Sequence, residues 1–456
     1  MTTVPLGQNQ PGAWRALPVL IVLYALSLLD RQVLTLMVGP IKRDLGLGDF
    51  QIGLLQGLVF SVFYSAAALP IGWLVDRFAR RPIIWLGVTA WGLAAAACGL
   101  AQSYVQLLLA RLGVGVGEAA LSPAAYSMLA DLFRPARLAL ALSVLMIGSS
   151  LGNGAAIGLG GLVVSFAERP EGVSLPLLGH LASWQFVFIV TGLPGLVLGA
   201  LIFLIREPAR RGRMTAAGTV SIGETLAFMR ARRAFFTAHF LGFGLLSIVG
   251  WGFTSWLPTY MTRAFGWSIG QLSIPLALII GLGGTFGTLA SGALVDRLFG
   301  ACRSDAHMRV YAVIAVGMTV CGVAAFQARD PWLFLLLATP VASVMTLAAT
   351  AGAALQIVSP NEMRGQVGAL FLLVMNGIGM GLGPTLVGAL TDFVFRDETR
   401  LGLSMTLLFA TLGPLAALAL WLGLPAMRTA VALAGGWGSE AGAEPQLDGA
   451  RLDHRR

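Results

Sequence analysis

Long apolar stretches separated by short polar ones are the dominant pattern along this chain. A helix needs about 20 apolar residues to cross the ~30 Å hydrocarbon core of a bilayer, and twelve stretches are long enough. In chain order they cover residues 17–39, 51–75, 83–102, 104–130, 138–166, 184–205, 235–261, 270–295, 309–327, 331–357, 366–392 and 401–424. The pattern predicts an all-α membrane protein with twelve transmembrane helices, numbered spans 1 to 12 in this order.

The longest polar stretch, residues 206–234, divides the twelve spans into two sets of six. Within it, Ser221 and Glu224 have the spacing of a capping box and precede an amphipathic run. We therefore expect a short helix on the membrane surface that joins the two halves. The predicted units are an N-terminal six-helix bundle over 1–205, a cytoplasmic linker over 206–234, a C-terminal six-helix bundle over 235–425 and a disordered cytoplasmic tail over 426–456.

Composition and charge support this membrane class. Of the 456 residues, 57% are hydrophobic and 11% are charged, whereas soluble proteins carry about 25% charged residues. The net charge is +9, and the arginines concentrate in short loops on the side of both chain ends, which is the orientation signal of membrane proteins. We expect a multi-pass protein of the bacterial inner (plasma) membrane with both termini in the cytoplasm, and no nucleic-acid partner.

The sequence offers no convincing catalytic or metal motif. Cys98, Cys302 and Cys321 lack metal-ligand spacing. Residues 148–152 match the Gly-x-Ser-x-Gly pattern of hydrolases, but they lie inside a span and not at a strand-to-helix turn. We therefore predict no enzyme, no metal and no cofactor.

Four ionisable residues lie inside the apolar stretches: Asp30 and Arg31 in span 1, Arg111 and Glu118 in span 4. Each would cost roughly 2.5–3.5 kcal/mol at the bilayer centre, so such residues usually face a protein-lined, wet cavity. Arg111 and Glu118 share one helix face but lie ~10 Å apart along the axis. Each therefore needs a partner on another helix, and span 1 offers one charge of each sign. A static structural network is the alternative.

The second half lacks such charges in spans 7, 8, 10 and 11. The candidates for an apolar cavity wall are Trp251, Phe253, Trp256, Met345, Phe371 and Met375, with Asn376 as a polar addition. Each taken alone is more typical of helix packing or lipid contact than of ligand binding. Together, a charged wall and an apolar wall favour an amphiphilic ligand over a sugar, which needs hydrogen-bonding groups on both walls.

A short motif occurs once in each half. Residues 72–77 (GWLVDR) end span 2, and residues 292–297 (GALVDR) end span 8. With Arg80 and Arg81, the first copy resembles the loop motif of the major facilitator superfamily, whose fold has two six-helix halves with the substrate between them. A set of inside-positive charges without further function is the alternative.

That resemblance implies a cytoplasmic gate. Its members would be Gly72, Asp76, Arg77, Arg80, Arg81, Asp131, Asp296 and Arg297. In the family the motif's aspartate meets the N-terminal end of a helix in the other half, where the helix dipole favours an anion. The arginines pair with an acid at the end of span 4, which is Asp131 in this chain.

A narrower resemblance points to the Spinster subfamily, transporters of lysolipids and sphingolipid-type signals. It rests on residues 29–32 (LDRQ), 117–119 (GEA), 72–81 and 359–365 (SPNEMRG). The resemblance implies that Asp30 and Glu118 are protonation sites. It also implies that Arg31 and Arg111 are their charge partners or contacts of a substrate headgroup.

We therefore expect secondary active transport of an amphiphilic lipid, lysophospholipid or sphingolipid-like, by alternating access and coupled to protons. A proton-coupled exporter of drugs or organic anions is the alternative; span 5 resembles the glycine-rich motif of exporters, although Asn153 stands where that motif has proline. A non-transporting lipid scaffold is disfavoured because it needs no paired loop motifs. Nothing in the sequence calls for oligomerisation, so a monomer is expected.

Overall fold

The structure is a computed structural model. It describes residues 9–167, 173–175, 179–210, 220–343, 347–360 and 362–434. The wall candidate Met345 and most of the predicted tail, residues 435–456, lie outside the described residues.

Long apolar helices account for the predicted spans. Within the described residues, ten helical segments are long and apolar enough to cross a membrane: Ala13–Leu36, Asp49–Arg77, Arg80–Cys98, Tyr104–Leu132, Ser183–Leu204, Arg233–Phe265, Ile269–Gly300, Ala306–Ala325, Arg364–Phe395 and Glu398–Leu422. Span 5 is the helix Pro135–Ala167, and span 10 consists of Pro331–Ser343 and Ala348–Val358. The fold is that of an all-α membrane protein, with twelve spans in the predicted order.

The spans run alternately between two sides of the molecule. We call the side with the linker and the start of span 1 the linker side, and the opposite side the far side. The far side carries the short helix Val38–Leu45 and a hairpin of strands Val173–Leu175 and Gly179–Leu181, in which Val173 pairs with Leu181. The linker side carries the helices Ile222–Ala231 and Leu424–Ala434.

Apolar side chains are exposed on the outside of the spans. Leu69 is 74% exposed, Phe166 80% and Leu336 69%. A soluble protein would bury such residues, whereas helices in lipid satisfy their backbone groups internally and present apolar side chains outward. The polar side chains that carry chemistry therefore lie between the helices.

Several of the described spans contain wider, π-helical turns or a break, and three of them adjoin the cavity or the contact between the halves. Span 8 has a π-helical segment at Leu278–Gly283, and span 11 has two, at Val374–Met380 and Leu390–Phe395. In span 2 the helix Asp49–Gln56 ends at Gly57, whose backbone angles are φ −115° and ψ −90°, and resumes at Leu58. Such irregularities in membrane helices often accompany functional sites.

Small residues let the two halves approach closely in the far-side part of the molecule. A Cβ on Gly53 would lie 2.6 Å from the carbonyl oxygen of Pro384 in span 11, and one on Gly154 in span 5 would lie 2.6 Å from that of Ala277 in span 8. Side chains at these glycines would force the backbones apart. Contacts of this kind close the far side.

Both surface helices of the linker side contact the bundles, the helix Ile222–Ala231 through a hydrogen bond from Thr225 to Gln366 at 2.7 Å. The predicted capping box is confirmed: Ser221 Oγ accepts from the amide of Glu224 at 3.2 Å, and Glu224 Oε2 accepts from the amide of Ser221 at 2.7 Å. The disordered tail predicted from residue 426 is wrong for residues 426–434, which belong to the helix Leu424–Ala434. Its Arg428 donates to Asp305 at 2.6 Å, a partner too distant in sequence for pattern analysis to identify.

Candidate transport site between the two halves

Glu118 and Arg31 form an ion pair inside the N-terminal half. Arg31 donates to Glu118 Oε2 from Nε at 2.9 Å and from Nη2 at 2.5 Å, and Ser27 Oγ donates to the same oxygen at 2.8 Å. Glu118 is 2% exposed. The other carboxylate oxygen, Oε1, has no hydrogen-bond partner within the described part of the chain. Span 4 therefore obtains its charge partner from span 1, as expected from the spacing of Arg111 and Glu118.

Asp30 lies behind this pair, with Arg111, Glu118 and the indole of Trp91 as its neighbours. It is 2% exposed, and neither of its carboxylate oxygens has a well-formed hydrogen bond within residues 9–434 that the structure describes. Nε and Nη1 of Arg111 are likewise without one there. Since buried ionisable groups are normally paired and hydrogen-bonded, this incompletely paired cluster is suited to exchanging protons or binding an anion.

The two arginines line a cavity between the halves. The N-terminal half contributes Arg31, Gln32, Leu34, Thr35, Gln56, Phe60 and Arg111, and the C-terminal half contributes Trp251, Thr254, Ser255 and Met380. The guanidinium of Arg31 lies 4.7 Å from the ring centre of Phe60, and that of Arg111 lies 5.4 Å from it. An aromatic face between two cations stabilises both by cation–π attraction. The wall of the cavity on the N-terminal side thus presents two guanidinium groups, one of which is paired with Glu118.

The predicted apolar wall is only partly at this cavity. Of its members, Trp251 lines the cavity. Phe253 and Trp256 are fully buried within the C-terminal half: Phe253 packs edge-on against Phe409, and Trp256 Nε1 donates to the carbonyl oxygen of Pro384 at 2.9 Å. Their apolar character reflects core packing, since a helix that is apolar all round does not show which face meets the cavity.

The span 11 members of that wall also lie apart from the lining residues. Phe371 packs against His239 and Phe240, with ring centres 5.2 and 5.4 Å away. Met375 is 6% exposed, and Asn376 is half-buried. The lining residue of span 11 is Met380, whose sulfur accepts a hydrogen bond from Arg31 Nη1 at 3.8 Å. Sequence reasoning missed Met380, Thr254 and Ser255. The available signal for Thr254 and Ser255 was that their two hydroxyl groups lie one helical turn after Trp251.

The candidate gate residues of the first motif hold the N-terminal half together. Arg80 is completely buried and forms an ion pair with Asp131 and another with Glu207, at 2.8 Å. Arg81 donates to the carbonyl oxygen of Phe203 at 2.7 Å. Glu207, at the start of the linker, also accepts the amide hydrogens of Arg80 and Arg81; sequence reasoning did not include it.

The other candidate gate residues form no ion pair with the opposite half among the residues that the structure describes. Asp76 and Arg77 are exposed, and the guanidinium of Arg77 lies 4.0 Å from the ring centre of Trp73. Asp296 and Arg297 are exposed as well. Cβ positions at Gly72 and Gly292 would meet no atom of the structure within 4 Å. In this conformation the two motif copies do not join the halves within the described residues.

A second charged cluster joins the halves on the far side. Asp49 is fully buried and forms ion pairs with Lys42 at 2.5 Å and with Arg263 of span 7 at 2.6 Å. Lys42 also pairs with Glu398 at 2.7 Å. Asp392 of span 11 accepts the amide hydrogen of Phe50 at 2.8 Å. Among the described residues, every ion pair between the halves lies in this far-side cluster, so the conformation is closed on the far side.

The fold agrees with that of solved transporters. The crystal structure of a bacterial homologue of the human lysosomal transporter Spinster, in an inward-facing and unoccupied conformation, matches with a TM-score of 0.74. The match covers 93% of this chain and 98% of the other, at 24% identity. At that identity the likeness concerns the fold.

Relatives among characterised proteins are transporters. An MFS-type efflux pump of Mycolicibacterium smegmatis is 29% identical over 90% of this chain and 92% of its own length. The sphingosine-1-phosphate transporter SPNS2 of Mus musculus is 28% identical over 52% of this chain and 42% of its own length. The family model of the Major Facilitator Superfamily matches residues 20–384. The chain is thus a transporter rather than an enzyme, and it belongs to the Major Facilitator Superfamily.

Proposed function

We propose that this protein is a proton-coupled secondary transporter of an amphiphilic anion, with a lysophospholipid or sphingolipid-like molecule as its substrate. The observation that carries the proposal is the cavity between the halves, where Arg31 and Arg111 face Trp251 and Met380. Two cations on one wall suit a phosphate or carboxylate headgroup. The indole and the thioether opposite suit the start of a hydrocarbon tail.

Proton coupling would act through Asp30 and Glu118. Burial favours the neutral form of a carboxyl group, and a nearby arginine favours the carboxylate. Arg31 holds Glu118 and also touches Met380 of the opposite half. A substrate anion that takes over Arg31, or a movement of span 11, would weaken the ion pair and favour protonation of the carboxylate. Protonation and conformation would then be coupled.

Alternating access would follow from opening the far-side cluster and closing the linker side. Asp49 and Arg263 would separate, and the exposed motif residues Asp76 and Asp296 would meet the opposite halves. With both termini in the cytoplasm of a bacterial inner membrane, the described conformation is the inward-facing one. In this account a monomer suffices, and residues 206–234 act as a tether.

A second candidate function is export of a drug or an organic anion. It is favoured by Thr254 and Ser255, because two hydroxyl groups on the C-terminal wall can bind a polar molecule that has no tail. The relationship to the mycobacterial efflux pump over 90% of the chain also supports it.

Uptake into proteoliposomes with an imposed pH gradient separates these functions. The probes are a lysophospholipid and its tail-less headgroup, glycerophosphate. The proposed function predicts gradient-driven movement of the lysophospholipid and none of glycerophosphate. Movement of glycerophosphate at an equal rate would favour the organic-anion function, and movement of neither probe would contradict the proposal.

A further inference from the structure

Gln56 is a buried amide whose hydrogen-bonding groups are unused. The residue is 8% exposed, and neither Nε2 nor Oε1 has a hydrogen-bond partner within the described part of the chain. It lines the same cavity as Arg31 and Arg111. A buried amide without partners costs stability, and native proteins leave few such groups unpaired. An unpaired amide directed into a cationic cavity therefore points to a ligand.

Three other neutral polar side chains of the cavity already donate hydrogen bonds. Gln32 donates to Asn153 at 2.7 Å, Thr35 donates to the carbonyl oxygen of Gln32 at 2.7 Å, and Thr254 donates to that of Gly250 at 3.0 Å. Among these four lining residues, Gln56 alone makes no side-chain hydrogen bond within the described part of the chain.

The backbone around Gln56 holds it in this place. Span 2 breaks at Gly57 directly after it. A Cβ on Gly57 would lie 2.6 Å from the carbonyl oxygen of Gly381, and Thr385 Oγ1 donates to the carbonyl oxygen of Gly53 at 3.1 Å. The turn that carries Gln56 is thus fixed against span 11 on the far-side roof of the cavity. Helix breaks that position polar groups at a central site are typical of transporters.

We propose that Gln56 is a specificity-determining residue that binds a hydroxyl or amide group on the polar head of the ligand. Arg31 and Arg111 hold the anionic group of the same head, and the Gln56 amide donates to and accepts from the neutral group beside it. The inference rests on the proposed function and refines it: the substrate class is an anion that carries a hydroxyl or amide close to its charge. The glycerol hydroxyl of a lysophospholipid meets this requirement.

Paired probes test the assignment on the full-length protein in lipid nanodiscs. The probes are 1-oleoyl-lysophosphatidic acid and its 2-deoxy analogue, which lacks the hydroxyl on the second glycerol carbon. We expect the wild-type protein to bind the hydroxylated probe roughly tenfold more tightly, the worth of a buried hydrogen bond. Gln56→Leu, which approximately keeps the size and removes the amide, should abolish this preference. It should weaken the binding of the hydroxylated probe and leave that of the 2-deoxy probe unchanged. Gln106→Leu, at an exposed position of span 4, is the control and should keep the preference.

Thermal unfolding without ligand gives a second readout. If the amide serves a ligand, Gln56→Leu should unfold at the same or a higher temperature, because a buried unpaired amide has been removed. A large fall in unfolding temperature would assign Gln56 a structural role and overturn the inference. So would a Gln56→Leu protein that keeps the preference, or a wild type that binds both probes equally. A wild type that binds neither probe would contradict the proposed lipid substrate, and the inference with it.

Discussion

Arg31 donates two hydrogen bonds to a single oxygen of Glu118, at 2.9 and 2.5 Å, and the other carboxylate oxygen has no partner among the described residues. A bidentate pair would engage both oxygens and hold the carboxylate firmly. In this one-sided arrangement Glu118 is held only through the oxygen that accepts from both Arg31 and Ser27. Since Arg31 also reaches Met380 in the opposite half, the ion pair connects a titratable group to the relative position of the two halves.

Glu118→Gln should uncouple transport from the proton gradient. The amide keeps the size and can still accept from Ser27, but it has no titrating charge. We expect gradient-driven uptake of lysophospholipid to fall by at least about tenfold, equivalent to ~1.4 kcal/mol, with unchanged insertion and yield. Ser27→Ala is the matched control, because it removes one hydrogen bond to the same oxygen and keeps the charge. Equal loss of uptake in both variants would mean that the hydrogen bond matters and the titration does not.

Arg263→Ala should open the far side. It removes the span 7 partner of buried Asp49 while Lys42 still compensates the Asp49 charge, so the expected loss is about 1.5–3 kcal/mol, the worth of hydrogen bonds to a charged group. A loss of that size is enough to shift an equilibrium between two conformations. Double electron–electron resonance between spin labels at exposed Gln102 and Gln327, in a cysteine-free background, should report a longer far-side distance. Arg309→Ala, which breaks the Arg309–Asp305 pair within one half, should leave that distance unchanged. An unchanged distance in Arg263→Ala would exclude the cluster as a far-side lock.

Gly154→Ala should disfavour the described conformation more than Gly158→Ala. A Cβ at Gly154 would lie 2.6 Å from the carbonyl oxygen of Ala277 and 2.7 Å from Cα of Gly281, both backbone atoms of span 8. At Gly158 the nearest atom would be the Ala277 Cβ at 3.6 Å, an ordinary contact. The distance between the same two spin labels should therefore increase in Gly154→Ala and stay unchanged in Gly158→Ala. Identical behaviour of the two variants would show that this glycine contact does not control closure.

Glu207 should stabilise the linker side at neutral pH and lose this effect at acidic pH. Partial burial by itself would raise the pKa of Glu207, but hydrogen bonds from the Arg80 side chain and from the amides of Arg80 and Arg81 outweigh it and hold the pKa below 4.5. A carboxylate whose pKa is lower in the folded state than in the unfolded state stabilises the fold at pH values above the unfolded-state pKa. That stabilisation is lost as the pH falls through the folded-state pKa. At pH 7 the free energy of unfolding of Glu207→Gln should be roughly 1–2 kcal/mol lower than that of the wild type, so the variant should unfold at a lower temperature. This difference in stability should shrink below pH 4.5. A difference that is constant with pH would contradict this ion-pair account.

Sequence patterns predict the spans and the cationic wall because charges in apolar helices are rare and costly. Asp30, Arg31, Arg111 and Glu118 stand out in the chain, and the structure brings them together. The C-terminal wall could not be predicted in the same way. Phe253 and Trp251 are both aromatic and only two residues apart, so apolarity alone cannot show that one faces the cavity and the other the core.

The far-side cluster could not be predicted from the sequence either. Asp49, Lys42 and Arg263 lie at the ends of apolar stretches, where charges are ordinary and reveal no partner. Their pairing depends on how two bundles meet, and that geometry is not encoded in local periodicity. The break at Gly57, which places Gln56 in the cavity, also arises from contact with span 11 and has no separate sequence signal.

Asp30→Asn tests the central claim most directly. The substitution removes the charge of a carboxyl group that is 2% exposed and lies beside Arg111 and Glu118, while its size is kept. Uptake of lysophospholipid into proteoliposomes is measured across a pH series, with and without a pH gradient. The account predicts that wild-type uptake rises with the gradient and that Asp30→Asn, though inserted and folded, does not respond to it. Gradient-driven uptake by Asp30→Asn equal to that of wild type at every pH would contradict proton coupling through this cluster.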